Sequence, residues 1–82
     1  MQTIMIDGSR YTTPREMHLA LKRMLSLPEY YGLNADALND CLGEFPACPA
    51  LWYALNGTEE VNAALKLAAR VFADNGGEVK EL

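Results

Sequence analysis

The spacing of apolar and polar residues changes along this chain, and each change marks an element. Thr3-Ile4-Met5-Ile6 is a short β-favouring run closed by the turn pair Asp7-Gly8, which predicts a strand over residues 2–7. Beyond it, Met17, Leu21, Met24 and Leu25 recur at helical spacing, with Arg15, Lys22 and Arg23 elsewhere around the cylinder. Thr13-Pro14-Arg15-Glu16 supplies the start of that helix. Thr13 can cap, Pro14 takes the first helical position, and Glu16 completes a capping box. Pro28 sets a limit after it. Asn34 is a natural cap for a second helix from Ala35 to Gly43. Ala50-Leu51-Trp52-Tyr53-Ala54-Leu55 is apolar on both alternations, the pattern of a strand covered on two sides. Asn56-Gly57 then breaks the chain, and Thr58 caps a third helix with Glu59 and Glu60 in its favourable first turn. Val61, Leu65, Ala68 and Phe72 form its inward stripe. Asn75-Gly76-Gly77 ends it, and residues 78–82 read as a short edge strand.

Strand, helices, strand, helix, strand predicts an α/β fold with a small three-stranded parallel sheet and right-handed crossovers. At 82 residues the chain is expected to be one domain, residues 1–82. No apolar run approaches the roughly 20 residues of a membrane span, so no membrane role is expected. The first seven residues lack the basic and long apolar regions of a signal peptide, which points to the cytoplasm. Cys41 and Cys48 are too few for a disulfide scaffold, their spacing is not CxxC, and His18 is the only histidine. No metal site and no cofactor follow from that set.

Charge changes the picture more than composition does. The net charge is −4, but from Met24 through Leu65 there is no Lys or Arg at all. Glu29, Asp36, Asp40, Glu44, Glu59 and Glu60 give that stretch a local charge of −6. Such a face repels phosphate, so nucleic-acid binding is a poor reading, and the stretch is either an ordinary solvated acidic surface or a face complementary to a basic protein partner.

The second helix carries the sharpest signal. At about 100° per residue, Leu38, Cys41 and Leu42 gather on one side and Asp36, Asn39, Asp40 and Gly43 on the other. Cys41 reads as a small core residue. Asp36 and Asp40 are like charges four residues apart, a spacing that costs a helix a few tenths of a kcal/mol. Ahead of them lies Pro28-Glu29-Tyr30-Tyr31-Gly32. Two adjacent tyrosines in a short loop cannot both easily point inward, so either one packs on the core with the other outside near Asp36, or both rings cover the core with their hydroxyls in water.

The string from Leu27 to Leu42, LPEYYGLNADALNDCL, resembles the signature of the barstar family, intracellular bacterial inhibitors of guanyl-specific ribonucleases of the barnase type. The resemblance implies a three-stranded parallel sheet packed by three or four helices, and no enzyme activity. It also implies a mechanism, in which the second helix and its leading loop enter the nuclease's cleft and their carboxylates stand in for RNA phosphate. Carried over residue by residue, the matching positions are Tyr30, Tyr31, Gly32, Asn34, Asp36 and Asp40. Asp40 is then the central anion and Asp36 its neighbour, with aromatic contact from Tyr30 and polar contact from Asn34. Asn39, Gly43 and Glu44 complete the expected partner-binding set. The implied partner is a basic microbial ribonuclease, met by a free monomer in an immunity role like that of an antitoxin.

The chain departs from the family pattern in places. Asn39 stands where family members such as barstar carry tryptophan, and Gly43-Glu44-Phe45 replaces Thr-Gly-Trp. Val71 falls where the family's late helix supplies a carboxylate. The stretch between the second strand and the last helix is shorter than in the family, which leaves open whether the chain has three helices or four. These differences leave open a module of the same fold that recognises another basic protein. An enzyme is a weaker reading. Paired carboxylates can hydrolyse glycosides, but they need a cleft, which a convex helix face does not provide. His18 has no evident nucleophile partner, and no cation near Cys48 lowers its pKa. Tyr11, Trp52 and Tyr53 read as core or core-edge aromatics.

Overall fold

The computed structural model describes residues 2–82, and Met1 lies outside the described residues. Strand β1 (Thr3–Asp7) is followed by a 3-10 turn (Gly8–Arg10), helices α1 (Pro14–Leu25) and α2 (Ala35–Gly43), strand β2 (Ala50–Ala54), helix α3 (Glu59–Asp74) and strand β3 (Val79–Glu81). The sheet order is β1-β2-β3, and both pairings are parallel. Ile4 pairs with Leu51 and Met5 with Trp52 across β1 and β2. Only residues 55–58 separate β2 from α3, too few for another α-helix, so three α-helices pack this sheet.

Each helix begins where a side chain satisfies backbone N–H groups that have no partner within the helix. In α1 the Thr13 hydroxyl accepts from the Glu16 N–H at 3.2 Å, and the Glu16 carboxylate accepts from the Thr13 N–H at 3.2 Å. In α3 the Thr58 hydroxyl accepts from the Val61 N–H at 3.1 Å. That helix ends through Gly76, whose φ of +86° is open to glycine at little cost, and the Gly77 N–H donates to the Phe72 carbonyl at 2.8 Å.

One core joins all the layers. Ile4 and Ile6 of β1, Leu51 of β2, Met17 and Leu21 of α1, Leu38 and Leu42 of α2, and Val61, Leu65 and Phe72 of α3 are buried together. Helix α3 is the pillar, touching α1, α2, β2 and β3. The expectation that β2 is covered on both faces is corrected by Trp52. Its ring is only half-buried, its neighbour Met5 is 59% exposed, and the Lys80 ammonium lies 5.0 Å from the ring centroid. Ala50 and Ala54 are too small to demand a second helical layer. The tryptophan therefore sits at the edge of the core, under a cation rather than under a helix.

Candidate protein-binding interface

The segment between α1 and α2 is held from both ends. Ser26 closes α1 in the left-handed region at φ 53°, and the Leu27 N–H donates to the Lys22 carbonyl at 2.9 Å. The Tyr31 N–H then donates to the Pro28 carbonyl at 3.0 Å. The two tyrosines part company here. Tyr30 is 79% exposed, while Tyr31 is 5% exposed and packs into the core. The Tyr31 hydroxyl lies 2.7 Å from Nδ1 of His18, the one buried polar side chain in the core among the described residues. Burial holds the His18 pKa below its ordinary value and pushes the Tyr31 hydroxyl well above its own. A neutral imidazole accepting from a protonated phenol satisfies both. Tyr31 therefore anchors the loop to α1, and its ring does not stand on the surface with Tyr30.

Asn34 is similarly occupied. Its Oδ1 accepts from the Ala37 N–H at 2.8 Å, and its Nδ2 donates to the Gly32 carbonyl at 3.1 Å. The same side chain thus caps α2 and ties the cap to the loop. A Cβ on Gly32 would lie 3.3 Å from the Ala37 Cβ and 3.4 Å from Asn34 Nδ2, a tight fit that asks these neighbours to give by a few tenths of an ångström. Leu33, next to it, takes a left-handed φ of 56°, a conformation unusual for a bulky side chain.

Helix α2 buries Leu38, Cys41 and Leu42 and exposes Asp36, Asn39, Asp40 and Gly43, with exposed Glu44 at its C-cap. The aspartates face away from the core and have no ion pair among the described residues. Among the described residues the one salt bridge is Lys22–Glu29 at 3.1 Å, beside Tyr30 and not on α2. Burial raises the Cys41 thiol pKa, and the nearby Glu44 and Asp40 charges raise it further, so this sulfur stays protonated. Cys48 is also buried and raised by burial, with its thiol directed at the carbonyls of Pro49 and Phe72.

Val71 is 9% exposed and faces the core, so the position matched to the family's late carboxylate offers neither a charge nor much surface. One turn later Asn75 takes the surface. Its Nδ2 donates to Asn39 Oδ1 at 2.8 Å and to the Val71 carbonyl at 2.9 Å. Sequence reading treated Asn75 only as a helix stop. No local signal marks it for more, because its partner Asn39 lies 36 residues away along the chain.

A cleft of about 360 Å³ lies elsewhere, lined by Met5, Ile6, Asp7, Arg10, Met24, Ala54 and Leu82. None of these belongs to α2 or its leading loop. Its one acidic side chain, Asp7, is taken up by the N–H and hydroxyl of Ser9 at 3.0 and 2.8 Å. Among the described residues no group of three His, Cys, Asp or Glu side chains is placed to hold a metal, and no helix is long and apolar enough to cross a membrane.

Together these features define a small α/β domain that offers an acidic helix face and a pinned loop rather than a catalytic cleft. Comparison with known families matches residues 1–80 to the family described as Barstar (barnase inhibitor). The chain belongs to the barstar family, whose members are inhibitors and not enzymes. A protein of Bacillus subtilis (strain 168), named "Putative ribonuclease inhibitor YrdF", is 48% identical over 42 residues. That match spans 51% of this chain and 46% of the relative.

Proposed function

We propose that this chain inhibits a ribonuclease of the barnase type by seating α2 and its leading loop in the enzyme's active-site cleft. One observation carries the reading. Asp36 and Asp40 stand exposed on one helix face, with no cation paired to them among the described residues. A cleft built to bind RNA phosphate is lined with cations, and such a face is its electrostatic complement. Asp40 is the central anion and Asp36 its neighbour. Tyr30 gives exposed aromatic area, Gly32 lets the loop pass close, and Gly43 and Glu44 edge the contact. Tyr31 and Asn34 act by holding the loop and the cap in place. The protein meets its nuclease as a monomer in the cytoplasm, in an immunity role like that of an antitoxin.

Asn39 and buried Val71 favour a second reading, a barstar-fold module for a different basic protein. Titration of the purified chain into RNA-cleavage assays with several guanyl-specific microbial ribonucleases separates the two. Inhibition saturating at one inhibitor per nuclease is the expected result, and undiminished cleavage by every one of them contradicts it.

A further inference from the structure

The Asn39–Asn75 contact has an orientation that chemistry fixes. A carbonyl oxygen only accepts, so the Val71 carbonyl requires the nitrogen of the Asn75 amide to face it, 2.9 Å away. That nitrogen carries one more proton, which is directed at Asn39, 2.8 Å away. Asn39 must therefore present its oxygen to Asn75. The backbone of α3 in this way sets both side-chain amides, and it also sets what they have to spare. Asn39 Nδ2 remains as a donor and Asn75 Oδ1 as an acceptor, neither with a protein partner among the described residues. A Cβ on Gly43 would lie 3.9 Å from Asn75 Oδ1, which places that oxygen next to Gly43. The pair thus runs along the Asn39–Gly43 row of α2, beside the Asp36–Asp40 row.

We propose that this amide pair is a specificity element of the binding face. Through Asn39 Nδ2 and Asn75 Oδ1 it reads a neutral group of the partner that can both accept and donate, a peptide unit or a side-chain carboxamide. The proposal rests on the inhibitor reading and deepens it. The aspartates attract any basic cleft of suitable shape, and an oriented donor beside them discriminates among such clefts. A partner with a cation or an apolar slot at this point leaves the Asn39 donor unsatisfied, and that loss is the basis of rejection.

Asn39→Asp separates this role from simple charge. The aspartate keeps an oxygen to accept from Asn75, so the link between α2 and α3 survives and thermal stability stays close to wild type. The outward donor, however, becomes a carboxylate oxygen. If the face works by negative charge alone, a third carboxylate tightens binding to a basic nuclease. If the donor is read, a partner acceptor is left facing an anion, and affinity for a barnase-type ribonuclease that the wild type inhibits falls at least about tenfold. Asn39→Ala, at an exposed position that favours helix, is expected to lose affinity in the same direction and guards against misfolding of the first variant. Unchanged or tighter binding by Asn39→Asp overturns this inference and leaves the inhibitor reading standing. Failure of the wild-type chain to inhibit any such ribonuclease overturns the inhibitor reading, and this inference with it.

Discussion

Helices α1 and α2 start alike and are charged in opposite ways. Each opens with a side-chain cap, Thr13 or Asn34, and each has an acid in its first turn, Glu16 or Asp36. Helix α1 then closes with Lys22 and Arg23 in its last turn, where cations suit the carbonyl end of the helix dipole. Helix α2 has no cation in its last turn, carries Asp40 one turn after Asp36, and puts Glu44 at its C-cap. On α1 Glu16, Lys22 and Arg23 help the helix and only Arg15, in the first turn, opposes it, whereas Asp40 and Glu44 work against theirs by a few tenths of a kcal/mol each. The contrast teaches that α2 folds through its cap and its buried face. Its outer charges do nothing for the helix itself, as the proposed partner-binding role requires.

The largest effect tests the buried face. Leu38→Ala on α2 is expected to cost about 2–5 kcal/mol of stability, because Leu38 is fully buried and leaves a cavity. Urea denaturation measures it, and a loss below about 1 kcal/mol, well short of the usual cavity cost, breaks the claim that packing holds α2. A middle-sized effect compares the caps. Thr13→Ala and Asn34→Ala should each cost about 1 kcal/mol. Only Asn34→Ala should also weaken nuclease binding, since Asn34 ties the loop at Gly32 to the helix. Equal binding by the two variants removes the distinction drawn between the helices.

A smaller effect concerns the anchor shared by α1 and the loop. Burial holds the folded-state pKa of His18 below its ordinary 6.5. The unfolded chain therefore binds the proton more readily, and stability falls as pH drops through about 6.5 toward the lowered folded value. Above that window the contribution is fully present. Urea midpoints from pH 8 to pH 5 are expected to decline in the wild type. His18→Asn, whose side-chain oxygen can still accept from Tyr31, should decline less. Parallel curves for the two proteins assign the decline to carboxylates instead.

Much of the fold was legible because its signals are local. Thr13, Pro14 and Glu16 mark the start of α1, and Asn34 marks that of α2, within a few residues of the groups they satisfy. The parallel sheet follows from element order. The cover over β2 was not legible, because a strand's own alternation does not say whether a helix lies over it, although Trp52 does sit at the core's edge as its type suggests. The tyrosine pair announced a division of labour, but burial of Tyr31 depends on His18, thirteen residues earlier. The Asn39–Asn75 pair was invisible for the same reason, since 36 residues separate its members and only the packing of α3 on α2 joins them. The acidic face itself was legible, being a matter of helical spacing and the absence of Lys and Arg.

Asp40→Ala, measured for both stability and nuclease binding, tests the central claim most directly. Free-chain stability by urea denaturation should hold or rise slightly, because repulsion from Asp36 is relieved. Binding to the nuclease that the wild type inhibits, measured by calorimetry, should weaken by roughly 2–5 kcal/mol, the cost of truncating one partner of a buried charge pair. Wild-type affinity in Asp40→Ala, or a loss of stability as large as the loss of binding, would contradict the assignment of this helix face to a partner.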